Sequence, residues 1–268
     1  MTQLIAVGTD EEIEVIKQNL SFNNYEVDSN RLKLNMLQSK MASLITDVII
    51  NYWEFRFVEQ IVRTQYYFFT PEEKEEILNN SRKILESGLE TRGIKTVYGK
   101  RKREKIMNKV EEYLVTEDEI NIKGFVTFRL RDYMRELQEV VDTAVDEFMM
   151  EKEYNEFIRL LRYFVDIQEP KLDIVHVVIN PDSSFMLYDE VGEELSSTYL
   201  ESFFMEMAET DVNYDDLLIS ALITIAPKQI ELHFKEKYIE TEATKTVEHV
   251  FGNRVEKCLN CNKCQEKW

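Results

Sequence analysis

Cysteine occurs three times in this 268-residue chain, always within the last eleven positions, as Cys258-Leu-Asn-Cys261-Asn-Lys-Cys264. Two overlapping C-x2-C spacings let three thiolates converge on one tetrahedral zinc ion, because thiolates suit a borderline-soft d10 cation with no geometric demand of its own. His249, just upstream, is the candidate fourth ligand, and a group from a second subunit is the other way to complete the shell. An iron–sulfur cluster would lack its fourth cysteine. Structural zinc sites usually draw two ligand pairs from separate elements, so the competing reading is a frayed chain end carrying free thiols. The expected metal ligands are therefore Cys258, Cys261, Cys264 and His249, with zinc as the cofactor if there is one.

The remaining residue types with chemical potential give weaker patterns. His176 shares strand parity with Leu172, Ile174 and Val178, which places it on an apolar face, whereas Asp173 has the opposite parity and points away. The Asp173-x-x-His176 pair is thus no site in a regular strand, and His176 reads as a satisfied core histidine. His233 falls with Gln229 and Glu231 on the polar side of its strand and reads as solvated. Carboxylates such as Asp132, Glu136, Asp142 and Asp146 follow helical spacing, but no Glu-x-x-His accompanies them to form a di-iron bundle site. No Gly-rich phosphate loop, G-x-S-x-G elbow or H-E-x-x-H is present, so no catalytic residue is assigned.

Lys100-Arg101-Lys102-Arg103, with Lys105 and Lys109 behind, is the one basic island. In a chain with a formal charge of -18 it is expected to pair with acidic helices rather than with nucleic acid. That charge favours a protein partner over phosphate backbones or anionic lipid. The run Leu217 to Ala226 is too short to cross a bilayer, and MTQLIAVGTDEEIE reads as no signal peptide, so neither membrane insertion nor export is expected. Cysteines confined to the tail leave the body without a disulfide and point to a reducing, cytoplasmic location.

These groups need elements to hold them. Leu172 to Asp189 reads as a β-hairpin, two apolar arms around the turn Asn180-Pro181-Asp182-Ser183, where Pro181 presets φ and the Asn and Asp side chains can bond their own backbone. Gln229 to Phe234 alternates as a third strand, Glu242 to Phe251 is a helix stopped by Gly252, and Arg254 to Cys258 is a further short strand. Between them Ser196 or Ser197 caps a helix through Ala208, and Asn213 caps an almost wholly apolar helix, Tyr214 to Ala226, ended by Pro227.

Upstream, residues 1–37 form a small α/β unit with strands at Leu4 to Val7 and Arg31 to Met36 around the helix Asp10 to Leu20. From Gln38 to Gln168 the apolar period becomes helical. Thr70-Pro71-Glu72-Glu73 is a capping box that starts one helix. Phe125 to Phe164 is the longest amphipathic segment, and a single helix of that length is uncommon, so a break is expected near Glu151 to Tyr154.

Gly124-Phe125-Val126-Thr127-Phe128-Arg129-Leu130, Asp146-Glu147-Phe148 with Glu151-Lys152-Glu153-Tyr154, Phe157 to Asp166 and the hairpin together resemble the YtxC-like sporulation protein family of endospore-forming bacteria. The resemblance implies a cytoplasmic, sporulation-associated protein and transfers no catalytic residue.

The expected fold is α+β: a predominantly helical middle region, and a small mixed sheet built around the C-terminal hairpin and Gln229 to Phe234, which the N-terminal strands are free to join. The segments are 1–37, 38–168, 169–257 and a Cys-containing tail, 258–268. The expected function is that of a noncatalytic adaptor or regulator acting through protein contacts. The alternatives are an enzyme with a pocket between helices and sheet, and a metal-stabilised nucleic-acid-binding factor.

Overall fold

A computed structural model describes residues 2–20, 25–28, 30–87, 98–180, 184–195, 214–234, 241–258, 261 and 264. The fold is α+β, and the chain divides into two compact units, Met1–Glu151 and Lys152–Trp268.

The first unit holds a four-stranded sheet in the order β2-β3-β1-β4. Strand β1 (Thr2–Val7) pairs antiparallel with β3 (Arg31–Met36), which pairs antiparallel with β2 (Tyr25–Asp28). On β3 alternate residues Leu32, Leu34 and Met36 are buried, as a half-buried strand requires. The fourth strand, β4 (Glu119–Asn121), joins β1 in parallel from far along the chain. The N-terminal strands therefore complete a sheet of their own instead of extending the C-terminal one. The short segment Glu119–Asn121 takes up the free edge of β1.

Helices supply the rest of this core: α1 (Asp10–Gln18), α2 (Gln38–Val48), α3 (Glu54–Gln65), α4 (Pro71–Ser87), α5 (Tyr98–Thr116) and α6 (Ile122–Arg129). A π turn, Ile49–Trp53, links α2 to α3 and inserts one extra residue into the turn, so that the Glu54 N–H bonds Ile49 O. The Thr70 capping box is present: Glu73 N donates to Thr70 Oγ1 and Thr70 N donates to Glu73 Oε2.

Helix α7 runs unbroken from Arg131 to Ile167. The break expected near Glu151 to Tyr154 lies instead at Leu130, which ends α6 with φ -108 and ψ 46. The span from Arg131 to Ile167 contains neither Gly nor Pro, so nothing local interrupts its hydrogen-bond ladder. Residues Tyr133 through Phe148 belong to the first unit's core and Ile158 and Val165 to the second's.

The second unit is organised by a mixed sheet in the order β6-β5-β7-β8. The hairpin forms as expected, β5 (Ile174–Ile179) against β6 (Phe185–Tyr188). Across its turn Asn180 N donates to Ser184 O, while Pro181, Asp182 and Ser183 lie outside the described residues. Strand β7 (Gln229–Phe234) pairs in parallel with β5, and β8 (Val255–Lys257) pairs in parallel with β7. Val175, Val177, Ile179, Ile230 and Leu232 share a core with α8 (Tyr214–Ile225) and α9 (Glu242–Phe251). Gly252, at φ +52, ends α9 in a conformation that a side chain would strain. The helix expected from Ser196 or Ser197 to Ala208 falls outside the described residues.

Candidate metal centre

Parallel pairing decides which histidine meets the thiols. Strands β7 and β8 run the same way, with Leu232 opposite Lys257, so both chains arrive at the same end of the sheet. One further rung is made by the Cys258 N–H, which donates to Leu232 O at 2.9 Å and sets Cys258 beside His233. The C-x2-C turn that follows is closed by Cys264 N donating to Cys261 O.

The result is a cluster of His233, Cys258, Cys261 and Cys264 whose ligand atoms all lie within 4.8 Å of one another. His233 Nδ1 is 3.4 Å from Cys261 Sγ and 3.6 Å from Cys264 Sγ. Cys264 Sγ is 3.8 Å from Cys258 Sγ and 4.0 Å from Cys261 Sγ. A tetrahedral zinc with Zn–S of about 2.3 Å and Zn–N of about 2.0 Å requires S–S edges of about 3.8 Å and N–S edges of about 3.5 Å. Four of the six edges match these lengths and the other two are within 4.8 Å, so the four groups could hold a metal ion. The donor set suits zinc chemically as well, since a bound cation holds thiols deprotonated and leaves imidazole neutral.

His249 lies elsewhere. Its Nδ1 is 2.8 Å from the Tyr154 hydroxyl, and its backbone carbonyl accepts from Arg162 Nε. Of the four ligands expected from sequence, the three cysteines come together, and His233 stands where His249 was expected.

His233 is not solvated but 1% exposed. Its parity reading holds, because it does share a face with Glu231, yet the Cys-bearing segment rests on that face and buries it. The far nitrogen of the ring meets a second polar group: His233 Nε2 is 3.1 Å from His176 Nδ1 and 3.5 Å from Glu231 Oε2, and His176 Nδ1 is 3.1 Å from the same carboxylate oxygen. A metal on Nδ1 would leave the proton on Nε2, whose neighbours are His176 Nδ1 and the Glu231 carboxylate, the kind of surroundings that orient a ligating histidine.

His176 is buried and hydrogen-bonded, as a core histidine should be, but it lies on the face of β5 opposite the one that packs against the helices. Val175, Val177 and Ile179 turn toward the helices, and His176 turns toward Glu231, its register partner on β7. Asp173 points away from it and pairs with Lys228 Nζ at 2.6 Å.

Four of the six cations of the basic island, Lys102, Arg103, Lys105 and Lys109, pair within the first unit. Lys102 is 8% exposed and bonds both carboxylate oxygens of Glu54, at 3.0 and 2.7 Å, while the Tyr133 hydroxyl donates to Glu54 Oε2. Arg103 donates to Asp47 and Ser43, Lys105 pairs with Glu136, and Lys109 pairs with Glu112. A cavity of about 320 Å³ opens beside them, lined by Lys102, Lys105, Lys109, Arg129, Tyr133 and Glu136 among others. Its three lysines already face carboxylates, Lys102 and Lys105 across to Glu54 and Glu136 on other helices and Lys109 to Glu112 on its own.

The sequence model described as the YtxC-like family matches residues 39–256, which takes in His176, Glu231 and His233 and ends just before Cys258. Among curated proteins, the chain is 28% identical over 222 residues to a Bacillus subtilis (strain 168) protein described as "Uncharacterized protein YtxC", covering 82% of this chain and 76% of that one. No solved structure matches. Among the described residues, no helix is long and apolar enough to cross a membrane.

Proposed function

We propose that this chain, which belongs to the YtxC-like family, is a noncatalytic, zinc-stabilised protein that acts through protein contacts in the cytoplasm during sporulation. The observation that carries the reading is the closed ligand set. Three thiolates and one imidazole would complete a four-coordinate shell around a bound ion and leave no position for water or substrate, and closed shells of this kind hold structure while open ones do chemistry. A metal held there would tie Cys258, Cys261 and Cys264 to His233 at the end of β7, beside the edge formed by β8. Unoxidised thiols in this role suit a reducing compartment, and the acidic chain suits a protein partner over an anionic polymer. The cavity of the first unit supports an enzyme less well, because the three lysines lining it are paired with the chain's own carboxylates.

Elemental analysis of protein purified without chelators tests the centre. Wild type and His249→Ala are expected to carry one zinc per chain, and the triple Cys→Ser variant and His233→Ala to carry none. Equal, negligible metal in wild type and triple variant would end the proposal. The cellular role is tested by deleting the gene in the source organism and counting heat-resistant spores. A spore yield unchanged by the deletion overturns the sporulation reading and leaves the metal centre standing.

A further inference from the structure

On the side of His233 away from the thiols a second group of ligand atoms converges. Glu231 and His233 are two residues apart on β7 and so share a face, and parallel pairing sets His176 of β5 opposite Glu231 on that same face. His176 Nδ1 is 3.1 Å from His233 Nε2 and 3.1 Å from Glu231 Oε2, and His233 Nε2 is 3.5 Å from Glu231 Oε2. Protons do not satisfy all three sides of this triangle. Once a metal takes Nδ1 of His233, the proton of that ring sits on Nε2. If His176 Nδ1 also carries a proton, two N–H groups face each other at 3.1 Å; if it carries none, its lone pair faces the carboxylate oxygen at 3.1 Å. Either way one contact sets like against like beside two buried rings, where such a mismatch is costly.

We infer that the triangle is a second metal site: His176 Nδ1, His233 Nε2 and Glu231 Oε2 hold a divalent transition-metal ion, and the His233 ring, its remaining proton released to water, bridges that ion to the one held by the cysteines. A cation above the triangle turns three mutually repelling lone pairs into three ligand bonds. Its size fits. Metal–nitrogen bonds of about 2.0–2.1 Å and metal–oxygen bonds of about 2.0–2.2 Å give ligand–ligand edges of about 3.0 Å in an octahedron and about 3.4 Å in a tetrahedron, and the triangle's sides run from 3.1 to 3.5 Å. Two imidazoles and one carboxylate suit zinc, cobalt or nickel over magnesium and calcium, which take oxygen ligands. Three thiolates outweigh the charge of one divalent ion and Glu231 adds to the excess, so a second cation is drawn to the spot. The Glu231 side chain is 32% exposed, which gives the ion a way in and water a place beside it. With no thiolate and a proton to displace, this site is the weaker of the two and fills after the first. The bridge rests on the cysteine-centred reading above; the three nitrogen and oxygen donors do not.

Cobalt(II) is the probe, because thiolate ligands give it a charge-transfer absorption that nitrogen and oxygen ligands do not. The full chain carrying one zinc is dialysed against Co2+ and both metals are counted by elemental analysis, with circular dichroism as the control for folding. Wild type should gain one cobalt per chain, keep its zinc and show no sulfur charge-transfer band. His176→Ala should keep the zinc and bind cobalt more than about 100-fold less tightly, beyond what losing a hydrogen-bond partner of a ligand costs. The triple Cys→Ser variant, lacking the first metal, should still take one cobalt. Zinc-loaded wild type that takes up no cobalt overturns the inference, as does uptake indifferent to His176→Ala or cobalt that enters by displacing the zinc. Failure of the cysteine centre shows separately, as equal and negligible zinc in wild type and triple variant; one cobalt bound without the sulfur band in both would then uphold the site of His176, Glu231 and His233 and overturn the bridge.

Discussion

His233 presents Nδ1 to the sulfur of Cys261 at 3.4 Å although 28 residues separate them in the chain. The contact exists because β8 returns in parallel beside β7 and leaves the sheet at the end where His233 stands. The other side of the ring faces Glu231 and His176, so the imidazole is held between the cysteine thiols and a carboxylate.

Removing the carboxylate therefore should weaken metal binding without removing a ligand. Glu231→Gln keeps the shape but loses the charge that favours a proton on His233 Nε2, and zinc affinity measured against a chromophoric chelator should fall about 10- to 100-fold. Stoichiometry should remain one zinc per chain at saturating metal. Unchanged affinity would show that Glu231 does not orient the ring.

The buried pair of the first unit should be costly to halve and cheap to replace. Lys102 and Glu54 are 8% and 7% exposed, and truncating either leaves a charge without its counter-ion in a dry site. Lys102→Met alone should destabilise the first unit by about 3–5 kcal/mol in urea unfolding, whereas Lys102→Met with Glu54→Leu should recover much of the loss. Tyr133 moderates the recovery, because its hydroxyl donates to Glu54. Equal destabilisation by the single and double variants would contradict this account.

Alkaline stability should carry the signature of one tyrosine. Burial, followed by the hydrogen bond to Asp142, pushes the Tyr66 phenol up to about 12 from an ordinary 10.0. A phenol whose folded pKa is raised adds stability that is complete below the unfolded value and is lost as pH climbs through the folded one. The wild type should thus lose stability relative to Tyr66→Phe between pH 10 and about 12, read as the difference in urea midpoints. Parallel midpoints across that window would refute it.

The elements were largely legible in the sequence because their signals are local. Thr70-Pro71-Glu72-Glu73 starts a helix through bonds made within four residues. Leu32, Leu34 and Met36 declare one buried face by alternation, and Gly252 ends α9 by its own backbone freedom. Where such punctuation was missing the expectation erred. Nothing between Arg131 and Ile167 stops a helix, and base rates of helix length were a poor substitute for an actual breaker.

The candidate metal centre divides along the same line. The spacing of Cys258, Cys261 and Cys264 determined, by itself, that three thiols can meet, since one turn of chain brings them together. Proximity in sequence then favoured His249, but α9 turns that ring toward Tyr154. Tertiary structure decided for His233, because pairing order is a long-range property: no residue of β7 announces that β8 will lie alongside it in parallel. It also decided which side of β5 packs against the helices. In Leu-Asp-Ile-Val-His-Val-Val-Ile both parities are apolar, as expected of a strand buried on both faces. Only its register with Glu231 shows that His176 belongs beside the centre and not in the core.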